Sequence, residues 1–169
     1  MMADGARQQP IITGKESVML RDQIKQETIT AMKAGDKPRT AALRLIGAKL
    51  KDRDIELRTA TQPAGDDDAL VIEVLQKMAK QRRESITMFQ DGGRDELAAQ
   101  EQGELVVIEE FLPRQLNEAE TRAAIEGIKT ELGATGMKDM GRVMAELKAR
   151  HGTVLDLGRT SGWVKDSLA

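Results

Sequence analysis

The chain has 169 residues, of which 40% are hydrophobic and 32% are charged, so it can form a hydrophobic core. Its formal net charge of −2 gives no global attraction for a polyanion, although the charges are unevenly distributed. The chain contains no cysteine, no tyrosine and one histidine, which excludes disulfide scaffolds and cysteine nucleophiles and leaves few groups for acid–base catalysis.

Residues 1–18 show neither a helical nor a strand period, and they lack the charged-then-apolar pattern of a signal peptide. We predict that they form a flexible extension. Met19 is an alternative start, because the periodic sequence begins there. No apolar run in the sequence approaches the ~18 residues of a membrane span, so we expect no membrane partner.

Residues 20–32 carry apolar side chains at helical spacing, and Gly35 predicts the end of this first helix. Pro38 suits the first turn of the next helix, which we expect over residues 37–58. Residues 33–58 hold eight basic and four acidic side chains, a pattern that a solvated helical surface explains. The inner face of the first helix is predicted to consist of Leu20, Ile24, Ala31 and Met32.

Residues 61–67 are predicted to form a loop, because they contain one proline and one glycine. Aspartates at residues 66–68 predict the start of a third helix, which residues 91–93 end. A fourth helix is expected over residues 95–112 and closes at Pro113. Its predicted inner face consists of Leu97, Leu105, Ile108 and Leu112. The third helix also carries a basic run with no acid in it, formed by Lys77, Lys80, Arg82 and Arg83, which we interpret as solvated surface.

The rest of the chain contains further signals of helix ends. Asn117 and Glu120 have the spacing of a capping box, and Gly133 suits the C-cap of the helix that they begin. The next helix is predicted over residues 137–151, and Asp156 predicts the N-cap of the last one. The inner face of the helix over residues 137–151 is expected to consist of Met137, Met140, Val143, Met144 and Leu147.

These patterns together predict an all-α chain. No segment shows sustained alternation of period two, so we expect almost no sheet. We predict an N-terminal domain of long amphipathic helices over residues 19–113 and a small three-helix bundle over residues 114–169. The boundary is placed at residues 113–117, where a proline interrupts the helical pattern.

Few residues are candidates for chemistry. His151 lies at a predicted helix C-terminus, where a cation is favourable. The aspartates at residues 66–68 are explained by helix capping, because adjacent helical side chains point about 100° apart and seldom converge on a metal. The turn at residues 133–138 is either a plain connection or a phosphate site in which free backbone amides lie beside Lys138. We therefore predict no catalytic residue, no metal site and no cofactor.

Seven short stretches match one known family in their order and spacing. They lie at residues 31–37, 43–46, 81–86, 93–98, 111–116, 138–144 and 164–165. On these stretches the chain resembles the YqeY-like proteins, which are related to the tail of the B subunit of the glutamine-dependent Asp/Glu-tRNA amidotransferase. The resemblance covers residues 19–169. It implies an N-terminal domain of long helices followed by a small C-terminal helical bundle.

The resemblance also implies a role in translation, and the absence of cysteine fits a cytoplasmic location. The amidotransferase tail lies outside the catalytic domain and engages tRNA, and a related helical module is attached to some glutaminyl-tRNA synthetases. Our first hypothesis is therefore a non-catalytic accessory module that binds tRNA weakly and has no DNA partner. The predicted phosphate contacts are Lys138, Arg142 and Lys165, which fall within matched stretches, and Lys148 and Arg159, which are chosen on charge alone.

Two alternatives stay open. The chain could be a protein-interaction adaptor for a synthetase or amidotransferase complex, which an exposed apolar patch between the two domains would support. It could also be an amidotransferase-type carbon–nitrogen ligase with glutamine as amido donor, the activity that a family label would suggest. Against that activity, the chain has no cysteine and no recognisable Ser-cis-Ser-Lys amidase pattern.

Overall fold

The computed structural model describes residues 19–60 and 65–169. The extension predicted for residues 1–18, and most of the loop predicted for residues 61–67, lie outside the described residues. The described part is all-α, as predicted, with 81% of its residues in helices and no strand. Its elements in chain order are α1 (Leu20–Lys33), α2 (Lys37–Arg58), α3 (Asp67–Asp91), α4 (Asp95–Glu110), α5 (Glu118–Leu132), a 3-10 helix (Met137–Asp139), α6 (Met140–His151) and α7 (Leu157–Leu168).

Local capping explains where several of these helices begin. The Asp36 side chain accepts a hydrogen bond from the Arg39 amide at the start of α2. At the start of α5, Asn117 and Glu120 form the predicted capping box, in which each side chain bonds the backbone amide of the other residue. Asp156 accepts hydrogen bonds from the first amides of α7. The caps predicted at Asn117 and Asp156 are therefore confirmed, and Asp36 is a cap that the sequence analysis does not predict.

Gly133 ends α5 with a left-handed backbone, at a φ of 63°. This conformation crowds the Cβ of any L-residue, whereas glycine adopts it freely. The Ala134 amide then bonds the Lys129 carbonyl oxygen, which satisfies one of the free carbonyls of the last turn. The predicted C-cap is confirmed, and it turns the chain toward the 3-10 helix.

The buried side chains form two separate hydrophobic clusters. Helices α1 to α4 enclose the first, which has Leu43, Ile46 and Leu75 at its centre. Helices α5 to α7 and the segment before α7 enclose the second. The central residues of the second cluster are Ile125, Val143, Leu147, Leu155 and Val164. The predicted boundary at residues 113–117 lies between the clusters, and the division into two domains stays a prediction.

Three side chains that were predicted to face inward are exposed instead. Met137 is 45% exposed because it belongs to the 3-10 helix, so the spacing of α6 does not extend back to it. Leu97 is 38% exposed because the buried face of α4 passes through the adjacent Ala98. Met32 is likewise exposed beside the buried Ala31. Helix α4 also ends two residues earlier than predicted, at Glu110.

Ion pairs connect the N-terminal helices at their ends and faces. Arg21 on α1 bonds Asp54 on α2 and Asp67 on α3 at 2.9 and 3.0 Å.

No helix in the described part of the chain has the length and apolarity that crossing a membrane requires.

Candidate functional site

A cleft of about 790 Å³ separates α3 from the C-terminal helices. One wall is the face of α3 from Ala69 to Arg83, and the other is formed by the end of α6, the start of α7 and the segment between them. Among the described residues, two acidic side chains line it, Glu73 and Asp156. The six basic lining residues in the same part of the chain are Lys77, Lys80, Arg83, Lys148, Arg150 and Arg159. The cleft is therefore cationic, although the chain as a whole is not.

Three of these six basic residues are neutralised within the protein. Lys77 lies 3.3 Å from Glu73, Arg83 lies 3.4 Å from Glu109, and Arg150 bonds both Glu131 and Glu146. The hydrogen bonds of Arg150 raise its pKa above its ordinary value, so it stays charged. These three cations contribute little net field because their charge is already matched.

The other three basic residues of the cleft have no such partner. Within residues 19–60 and 65–169, no carboxylate lies within 4 Å of Lys80, Lys148 or Arg159. The guanidinium of Arg159 instead lies 5.5 Å from the centre of the Trp163 ring, at cation–π distance. The Lys80 ammonium lies beside Gly158, where no side chain stands in its way. A Cβ added to Gly158 would lie only 2.8 Å from Lys80 Nζ. These cations are available to an external anionic ligand.

The floor of the cleft is apolar. Ile72, Leu116 and Leu157 line it and are half-buried, while Ala79 and Leu155 are buried beneath. None of the lining residues that the structure describes is aromatic. The cleft therefore combines an apolar floor with a cationic rim and lacks a surface on which a base could stack.

Gln76 on α3 fixes the geometry of the cleft. Its Nε2 lies 3.2 Å from the Gly152 carbonyl oxygen and 3.1 Å from that of Leu155, and it also approaches Gln115 Oε1 at 3.2 Å. Gly152 is the C-cap of α6, where helix carbonyls have no partner within the helix. Gln115 extends the joint by donating to the Thr153 carbonyl oxygen. The side-chain amide of Gln76, on the N-terminal helices, therefore bonds a free carbonyl at the end of α6.

The predicted phosphate turn is already occupied by a carboxylate of the chain. The amides of Thr135 and Gly136 donate to Asp139 Oδ2, at 2.9 and 3.4 Å, so these two amides are not free to bind a phosphate. The Thr135 amide, the Arg142 side chain and the Gly136 amide together lower the pKa of Asp139 from an ordinary 3.8 to about 2. Asp139 is buried and occupies the position that a phosphate would take.

The structure separates the five predicted RNA contacts into two groups. Lys148 and Arg159 line the cleft, whereas Lys138, Arg142 and Lys165 do not. Lys138 and Lys165 are exposed, and the structure gives neither a carboxylate partner among its described residues. The 3-10 helix that carries Lys138 packs against α7, which carries Lys165. Arg142 bonds Asp139 and is therefore committed to the turn.

Sequence reasoning missed that α3 supplies half of the basic cleft. The basic run of α3 was the available signal, but it was interpreted as solvated surface. Three of its four residues line the cleft, and only Arg82 faces elsewhere, where it lies 2.7 Å from Glu104. Among the described residues, no three histidine or acidic side chains are grouped so that they could hold a metal ion.

A smaller recess of about 300 Å³ lies between α5 and α7, beside Trp163. The guanidinium of Arg122 lies 5.6 Å from the centre of the Trp163 ring. Glu126 in the same recess is hydrogen-bonded to Ser167 and Lys129, which lower its pKa. The carboxylate of Glu126 is therefore satisfied within the chain.

Comparison with known proteins gives one family and several curated relatives. The family model described as Yqey-like protein matches residues 21–168. The relatives are all named "Altered inheritance of mitochondria protein 41, mitochondrial". The protein from Saccharomyces cerevisiae is 26% identical over 116 residues, which are 65% of this chain and 60% of the relative. The chain thus matches less than two thirds of the length of the yeast protein.

Two further relatives bear the same name. The protein from Eremothecium gossypii is 33% identical over 53% of this chain and 46% of its own length. The protein from Pyrenophora tritici-repentis is 29% identical over 80% of this chain and 74% of its own length.

Proposed function

The chain belongs to the YqeY-like family, and from that premise we propose that it is a non-catalytic accessory module of translation that binds tRNA weakly. The proposal includes a cytoplasmic location, while the curated relatives are named as mitochondrial proteins. The resemblance to the amidotransferase tail supports a role beside tRNA, and no catalytic step is assigned to the chain.

The observation that supports RNA binding is the distribution of unpaired cations. Residues 114–169 contain nine basic and eight acidic side chains. Five of the nine bases form ion pairs, namely Arg114, Arg122, Lys129, Arg142 and Arg150. The four that form none in the described structure are Lys138, Lys148, Arg159 and Lys165, and all four were predicted from the sequence. Unpaired surface cations can neutralise phosphates and release counterions without first breaking an internal ion pair.

Lys138 and Lys165 provide the sharpest test, because both are exposed, unpaired and outside the cleft. We expect wild type to shift tRNA in gel titrations, and we expect the shift to weaken as salt rises. The double variant Lys138→Glu/Lys165→Glu should bind more weakly, and the slope of log affinity against log salt should fall by about one for each lost contact.

The matched control is Lys25→Glu/Lys49→Glu on α1 and α2, which changes the net charge equally at two exposed lysines that also lack carboxylate partners in the described structure. It should retain tRNA binding close to wild type. The proposal is refuted if wild type gives no salt-dependent shift, or if the two double variants bind tRNA equally well.

A further inference from the structure

Beyond tRNA binding, we propose that the cleft between α3 and the C-terminal helices is a docking groove for an acidic amphipathic helix of a partner protein. The occupant is defined by its chemistry. It has an apolar stripe that faces the floor of the cleft and carboxylates along both edges of the stripe.

The floor of the cleft calls for an apolar surface on the occupant. Ile72, Leu116 and Leu157 remain half-exposed there, and the floor joins two structural units that each already have a core of their own. A sugar–phosphate backbone offers nothing that such a floor could desolvate favourably. An amphipathic helix does, because its apolar stripe is the surface that it must bury.

The rim of the cleft determines the charge of the occupant. Lys80 extends from α3 so that its ammonium lies beside Gly158, and Lys148 and Arg159 stand on the wall formed by the C-terminal helices. The two acidic residues of the cleft are engaged internally, since Glu73 pairs with Lys77 and Asp156 caps α7. A ligand that carries carboxylates would therefore meet three cations that have no carboxylate partner among the described residues, whereas a basic helix would be repelled by them.

The α3 wall of the cleft has about the length of a four-turn helix. The α3 wall runs from Ala69 to Arg83, which is fourteen residue steps, or roughly 21 Å at 1.5 Å per residue. The cleft is lined by no aromatic side chain, so single-stranded RNA would lack the stacking that supplies much of its affinity in open grooves. These observations favour a protein helix over RNA as the occupant.

The binding test uses full-length protein and a defined probe. The probe is a fluorescein-labelled 18-residue peptide. Leucines spaced at i, i+3, i+4 and i+7 form one continuous apolar stripe along its helix, and glutamate occupies all remaining positions. One comparison peptide carries lysine in place of every glutamate, and another carries serine in place of every leucine. By fluorescence anisotropy, the acidic amphipathic peptide should bind at least about tenfold more tightly than either comparison peptide.

Variants locate the binding in the cleft. Lys80→Glu/Lys148→Glu should weaken the acidic peptide about tenfold or more, while Lys25→Glu/Lys49→Glu should stay within about twofold of wild type. If the cleft double variant fails to fold by circular dichroism, Lys80→Ala/Lys148→Ala replaces it and should still weaken the peptide severalfold.

Several results would overturn the proposal. If the serine peptide binds as tightly as the acidic amphipathic peptide, the cleft recognises charge alone. If the cleft variant binds the acidic peptide as tightly as wild type does, the peptide binds elsewhere. Loss of tRNA binding in the cleft variant, with no peptide binding in wild type, would assign the cleft to RNA. If wild type self-associates and binds no peptide, and only the cleft variant loses self-association, the cleft is the binding site of a second copy of the chain. The tRNA proposal fails independently, because its test rests on Lys138 and Lys165.

Discussion

Replacing Gln76 by alanine should weaken the joint between the two helical units. In the native structure the Gln76 amide donates to backbone carbonyl oxygens at the end of α6 and just beyond it, at distances of 3.1 to 3.2 Å. Its two amide hydrogens can serve two acceptors at a time, and each such hydrogen bond contributes about 1 kcal/mol net. The removed methylene adds roughly 0.8 kcal/mol. The free energy of unfolding should therefore fall by about 2–3 kcal/mol.

Urea unfolding followed by circular dichroism measures this change, and Gln81→Ala is the matched control. Gln81 lies on the same helix and is exposed, so its replacement should alter the free energy of unfolding by no more than about 0.5 kcal/mol. In thermal unfolding, the Gln76→Ala variant should lose roughly 4–12 °C in Tm. If Gln76→Ala and Gln81→Ala unfold alike, the joint does not couple the two units, and the geometry of the cleft must be maintained by other contacts.

Two further outcomes follow from the C-terminal helices. Gly133→Ala should lower the free energy of unfolding by about 1–2 kcal/mol, because alanine is strained at a φ of 63°. Gly127→Ala, in the open middle of α5, should raise it by about 0.5–1 kcal/mol. Thermal melts in which the Tm values of both variants shift in the same direction would contradict this. The lowered pKa of Asp139 means that the stability contributed by its ionised form is fully present above pH ~4 and is lost as the pH falls toward about 2. The gap in urea stability between wild type and Asp139→Asn should therefore close over that pH range, and a constant gap would show that ionisation of Asp139 does not matter.

The ends of the helices could be predicted because their causes are local. Asn117 and Glu120 are three residues apart and cap each other, and Asp156 caps the residues immediately after it. The occupation of the phosphate turn by Asp139 was also local, since Asp139 lies three residues beyond Gly136 at the spacing of a capping acid. The spacing of Gly136 and Asp139 is therefore a sequence signal of the occupied turn.

The cleft could not be predicted in the same way, because its parts are distant in sequence. Gln76 meets Gly152 and Leu155 across 76 and 79 residues, and no local pattern marks that contact. A similarly long stretch of sequence separates the basic run of α3 from the cations of α6 and α7. The sequence shows where the charges lie along the chain, but only the packing of the helices shows which of them face one another.

The arrangement of charges also explains how a region with a net charge near zero can still attract anions. Residues 114–169 carry a net charge of +1, but internal ion pairs neutralise most of the acids together with five of the bases, so the remaining cations dominate the local field. Two of these cations lie on different faces of α7. Arg159 and Lys165 are six residues apart and hence about 120° apart around the helix axis. Arg159 lines the cleft and Lys165 does not. A ligand in the cleft and a phosphate at Lys165 would therefore draw on different faces of the same helix, so binding of the one leaves the charges that attract the other in place.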